Sequence, residues 1–190
     1  MYENKCEKIF SLIVNGIGVL GTVALLVFMI LKSTSPLEIS LISVLSFALI
    51  GYFSLSSLFH FLENDVIEII AWGFLYLSLV LLITNFTFID SLNIKHLVAF
   101  GLSSLLGTLG IVFNALDKED FKIANIILLV MISLLLVVFL PLKYFLVITV
   151  TSIASLVFYL INVSYMHSLS HLFNVISLLG SFYLIYLLLI

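Results

Sequence analysis

Between Lys8 and Lys32 the chain runs from Ile9 to Leu31 without one charged side chain. The pattern repeats. Ile39–Leu62, Ile69–Ile89, His96–Leu116, Ile123–Leu142 and Tyr144–Ile190 are also uncharged, and the 7 basic and 10 acidic residues fall into short clusters between them. A helix needs roughly 20 residues to cross about 30 Å of hydrocarbon, so each of the first five gaps has the length of one crossing. The last, with 47 residues, has room for two helices with a tight break, and Asn162–Ser168 is its most polar part. The charge pattern therefore predicts an all-α, polytopic membrane bundle of seven transmembrane helices, forming one domain over residues 1–190. The expected spans are about 9–31, 39–62, 69–89, 96–116, 123–142, 144–163 and 167–190.

Helices are preferred to a barrel because each run is continuously apolar and lacks the alternation of barrel strands. Pro36 and Pro141 both sit between expected spans, where a missing N–H costs least. With 64% hydrophobic and 9% charged residues and a mean hydropathy of +1.38, the chain is far from the roughly 25% charge of a soluble domain. Lipid is the expected solvent and partner. A net charge of −3 offers no basic field for nucleic acid. The lone Cys6 leaves no internal disulfide and no cysteine-based metal site. The run from Ile9 exceeds the 7–15-residue core of a signal peptide and reads as a retained span.

Orientation follows from lysine placement. Lys5, Lys8, Lys118 and Lys122 fall on the N-terminal side, and Lys32, Lys95 and Lys143 on the other. The positive-inside rule then favours a cytoplasmic N-terminus, in the cell membrane.

Alternating crossings also assign depth. The second span returns toward the N-terminal side, and His60 lies in its last turn. The seventh departs from that side with His167 and His171 in its first turns. Residues i and i+4 share a helix face about 6 Å apart along the axis, so His167 and His171 can address one object, with His60 completing the set. Three imidazoles with an open fourth position form a catalytic zinc arrangement, and Ser56, one turn before His60, can donate to a ligand there. The competing reading has each histidine capping carbonyls or snorkelling to the interface. An unpaired imidazole is expensive in a membrane, which favours the metal. His96, beside Lys95 on the opposite side, is expected in a loop with no role. The small residues of Gly101–Gly110 and the serines at 54, 56 and 57 fit close helix packing.

Three stretches resemble the hemolysin III and progestin/adipoQ receptor family. Ser56–His60, "SSLFH", resembles that family's Ser-x-x-x-His at the end of helix 2. His167–Phe182, "HSLSHLFNVISLLGSF", resembles its His-x-x-x-His opening of helix 7. Asn15–Gly18, "NGIG", resembles its helix 1 motif with Asn in place of His. The resemblance implies zinc held by His60, His167 and His171 with Ser56 close by. It also implies a cytoplasmic N-terminus, and relatives that cleave lipid amides or are described as receptors or cytolysins. The family's helix 3 Asp has no counterpart in Val66–Leu79. Glu68 lies on the correct side about a turn earlier, either as the proton-transfer residue or as a solvated loop end beside Glu63 and Asp65.

Three functions follow. The first is a zinc-dependent membrane hydrolase of a lipid amide or ester, with Glu68 moving the proton. The second is a non-catalytic receptor-like, cytolytic or lipid-homeostasis protein with structural zinc. A transporter ranks last, because no charge lies at a span centre.

Overall fold

The computed structural model describes residues 5–89, 93–116, 122–161 and 166–189, and within these the side chains of Lys122, Lys143 and His167 lie outside the description. The Asp117–Phe121 cluster and Asn162–Tyr165, in the expected break before the last span, are outside the described residues. The elements are α1 (Lys5–Lys32), α2 (Pro36–Leu62), α3 (Asp65–Ile89), α4 (Ile94–Leu116), α5 (Lys122–Leu135), α6 (Leu142–Leu160) and α7 (Met166–Leu188), with a 3₁₀ turn at Leu136–Val138 after α5.

The bundle has an apolar core, including Phe53, Tyr76 and Phe86, but its outer surface is apolar too and polar side chains are drawn inward. On α1 the buried side chains include Glu7, Ser11, Asn15 and Thr22, whereas Ile13, Ile17 and Leu20 are exposed. In water this arrangement would forfeit the hydrophobic effect, and in lipid it is the favoured one. Among the described residues, five helices, α1 to α4 and the Ser168–Leu188 part of α7, are long and apolar enough to cross a membrane. This is compatible with an integral, multi-pass membrane protein.

The other two helices correct the even series of seven spans. The expected fifth span to residue 142 ends as α-helix at Leu135, and its 14 residues plus the 3₁₀ turn cover about 27 Å. Pro141, which lacks an N–H and disfavours α geometry at Leu140, bars the helix from running on to residue 142. α6 has 19 residues, or about 29 Å, the bare thickness of the hydrocarbon layer.

Ends are set by local chemistry. Ser35 accepts from the backbone N of Glu38 at 3.1 Å while the Glu38 carboxylate accepts from the Ser35 N, and Pro36 opens the helix. α2 stops at Glu63 in left-handed geometry, φ 47°. Asn64 then accepts from the Val66 N at 2.9 Å to start α3. This two-residue turn brings the start of α3 back beside the end of α2.

α2 packs on α1 and α3, α4 on α3 and α5, and α1 closes on α7. α2 and α7 are not close-packed; α1 and α3 each lie against both, so α2 and α7 face one another across the centre of a four-helix group. The α3–α4 contact depends on missing side chains. A Cβ at Gly110 would lie 2.2 Å from the Tyr76 ring, and one at Gly107 would lie 2.4 Å from Val80. Tyr76 cannot swing aside easily, because its hydroxyl donates to the Asn125 carbonyl at 2.8 Å. Gly110→Ala is therefore expected to cost about 1–3 kcal/mol by overpacking. Thermal unfolding in detergent should read this as a drop of roughly 2–10 °C, largely recovered when Tyr76 is also shortened to Leu.

Candidate functional site

Tyr52, Ser56 and His60 recur at intervals of four on α2, and all three are buried. They form one stripe that faces α7. His60 is 1% exposed, and its Nε2 stands 2.8 Å from His171 Nε2. The rings meet edge to face, centroids 4.6 Å apart. Ser56 Oγ lies 3.4 Å from His171 Nδ1, the nitrogen on the far side of that ring. Asn15 on α1, where the resembling motif has His, donates from Nδ2 to Ser56 Oγ at 3.3 Å.

Ser56 differs from its neighbours. Ser46, Ser57 and Ser78 each return their hydroxyl to the carbonyl four residues back, whereas among the described residues the Ser56 hydroxyl meets Asn15 and His171. A histidine that offers Nε2 to a metal must carry its proton on Nδ1, and Ser56 Oγ is placed to accept it.

Two of the three expected imidazoles are thus brought together. His167 lies in the first turn of α7, but its side chain is outside the described residues. Among the described residues, no group of three or more His, Cys, Asp or Glu side chains is placed to hold a metal ion. The His60–His171 separation also differs from the expected value. Two nitrogens bound to one tetrahedral ion at ~2.0–2.1 Å sit about 3.3 Å apart, whereas 2.8 Å is a direct hydrogen bond with one ring donating. Binding would part the rings by about half an ångström. Two imidazole nitrogens converge, His60 is buried and His171 partly so, and the Ser56 hydroxyl lies beside one ring.

Glu68 corrects the reading of a solvated loop end. It is in the first turn of α3, 8% exposed, because the Glu63–Asn64 turn folds α3 back over α2. It lines a cavity of about 100 Å³ that also includes Ser56 and His171. The carboxylate and the histidine thus border the same space. Nearby, Lys8 on α1 pairs with Glu63, and Ser11 Oγ lies 3.3 Å from Ser168 Oγ on α7, so α1 ties the ends of α2 and α7 together.

His96 corrects the expectation of a loop position. It lies in α4, 6% exposed, with its ring centroid 4.6 Å from that of Phe139. It belongs to the opposite end of the bundle and is not part of the site.

The cavity is more polar than the motifs suggest. Tyr52, Asn174, Ser152 and Ser177 also line it. The signal available for Tyr52 is the i, i+4 continuation from His60 through Ser56. Asn174 and Ser177 likewise continue the His171 face at i+3 and i+6, while Ser152 is a single polar residue in an apolar helix. Among known proteins, no family model matches this chain, and neither the curated proteins nor the solved structures provide a significant match.

Proposed function

We propose that the chain is an integral membrane protein of the hemolysin III and progestin/adipoQ receptor type, with a cytoplasmic N-terminus in the cell membrane. In this reading it holds zinc through His60, His167 and His171 and hydrolyses an amide or ester of a membrane lipid. The supporting observation is the meeting of His60 and His171 at 2.8 Å, from helices more than a hundred residues apart in sequence, beside a cavity bordered by the buried Glu68.

Zinc, when bound, supplies a Lewis acid for the carbonyl and lowers the pKa of water. The chain's own groups do the rest. Ser56 fixes the His171 ring with Nε2 toward His60. Glu68 takes a proton from the attacking water and delivers it to the leaving nitrogen or oxygen. The water oxygen bonds to the carbonyl carbon, the C–N or C–O bond breaks, and a fatty acid and an amine or alcohol result. Leu75, Leu79 and Leu178 line the apolar part of the cavity and exclude bulk water.

The test uses the purified chain reconstituted with N-acyl and acyl-ester lipids. Fatty acid should be released, stop on chelation and resume with added zinc. Absence of release from both lipid classes favours a second reading, in which the metal staples α2 to α7 without catalysis. One observation favours that reading: these two helices touch through side chains such as His60 and His171 while their backbones stay apart.

A further inference from the structure

The cavity continues past the histidines. Tyr52 lies eight residues before His60 on α2 and Asn174 three after His171 on α7, which puts both about 5–12 Å nearer the bundle centre. Tyr52 is 7% exposed, and its hydroxyl is hydrogen-bonded to the Asn174 amide. Such a pair holds three donor hydrogens, two on the amide and one on the hydroxyl, and the bond between them uses one. Whichever way the amide is turned, the other two have no acceptor among the described residues. Away from bulk water, unpaired donors cost free energy until an acceptor arrives. Ser152 and Ser177, joined at 2.7 Å, line the same cavity. Glu68 is the only formally charged side chain among the described lining residues.

We propose that Tyr52 and Asn174, with the Ser152–Ser177 pair, form a binding station for an uncharged oxygen group of a membrane amphiphile, a carbonyl or hydroxyl that accepts from the unpaired donors. A carboxylate or phosphate would also accept. It would have to be desolvated beside Glu68 with no cation in the lining to pair with it, so anionic lipids are disfavoured. Leu75, Leu79 and Leu156 provide apolar wall for the adjoining stem. The station rests on the membrane reading of the chain and is independent of the metal.

Trp72 is the single tryptophan and lines the cavity, so a brominated probe seated there quenches its fluorescence. The full chain in detergent micelles, with a chelator present so that the ester is not cleaved, is titrated with dibromostearoyl monoglyceride, dibromostearate and dibromooctadecane. The monoglyceride should quench saturably, at concentrations about tenfold or more below those required for the other two. Asn174→Leu should raise its half-saturation about tenfold, and Tyr52→Phe about fivefold, as expected for losing one buried hydrogen bond. Thr108→Ala, exposed on α4 and away from the cavity lining, should leave it within about twofold. The proposal is overturned if the hydrocarbon quenches as well as the monoglyceride, or if Tyr52→Phe and Asn174→Leu both leave the titration unchanged. It is equally overturned if Thr108→Ala raises the half-saturation as much as Tyr52→Phe does, which would make the effect unspecific. No saturable quenching by any probe would mean that ordered water alone satisfies the donors. Should Asn174→Leu not fold, Tyr52→Phe, which removes one hydroxyl, decides the matter by itself.

Discussion

Exchange of Glu68 for Gln is expected to lower lipid turnover on the order of 10²–10⁴-fold, the scale of losing a positioned proton carrier, while metal content stays unchanged. Gln keeps the shape and polarity of a side chain that is 8% exposed, so the first turn of α3 and the cavity wall survive. The amide cannot accept and return a proton. Turnover and metal content are read on the same preparation, with fatty acid release by mass spectrometry. Equal turnover in the variant would remove Glu68 from the chemistry, because no other carboxylate is among the described residues lining the cavity.

His171→Ala is expected to affect metal and fold together. It removes one nitrogen of the proposed set, the partner of Ser56 Oγ and the edge-on neighbour of His60. Loss of an orienting hydrogen bond alone typically costs 10–100-fold in metal affinity, so loss of a ligand should exceed about 100-fold. The unfolding midpoint of the zinc-loaded protein should fall toward that of the chelated wild type, because bound metal stabilises by mass action. His171→Ala with wild-type affinity and midpoint would place the metal elsewhere. The effect of Ser56→Ala should be smaller, on the order of tenfold in affinity, because Ser56, itself held by Asn15, lies beside His171 Nδ1 and is an orienting group, not one of the proposed ligands.

The parts of this molecule legible in the sequence are those written in long-range repetition. Charge gaps locate α1 to α4 because a continuous apolar run of that length has one stable form in lipid. Span parity and the four-residue spacing bring His60 and His171 to one depth, and they meet. The short α5 is less legible. Residues 123–142 are uniformly apolar, and only Pro141 signals that the α-helix ends before it.

Glu68 reads as solvated because Glu63 and Asp65 flank it. Its burial is decided by the Glu63–Asn64 turn, a tertiary effect with no trace in composition. His96 misleads through its neighbour Lys95: the charge marks the helix start, yet the imidazole one residue on turns inward against Phe139. The cavity serines stay hidden for a different reason. A single serine in an apolar helix commonly bonds its own backbone, as Ser46, Ser57 and Ser78 do here, and only the packing identifies those that face a shared space.

The central claim is that two imidazoles carried by separate helices converge to hold a metal. Its most direct test is the zinc content of the full chain, purified without added metal, beside the His60→Ala/His171→Ala double variant that is folded by circular dichroism. The account predicts about one zinc per chain in the wild type and essentially none in the double variant. A wild type without zinc, or a double variant with as much as the wild type, would contradict it.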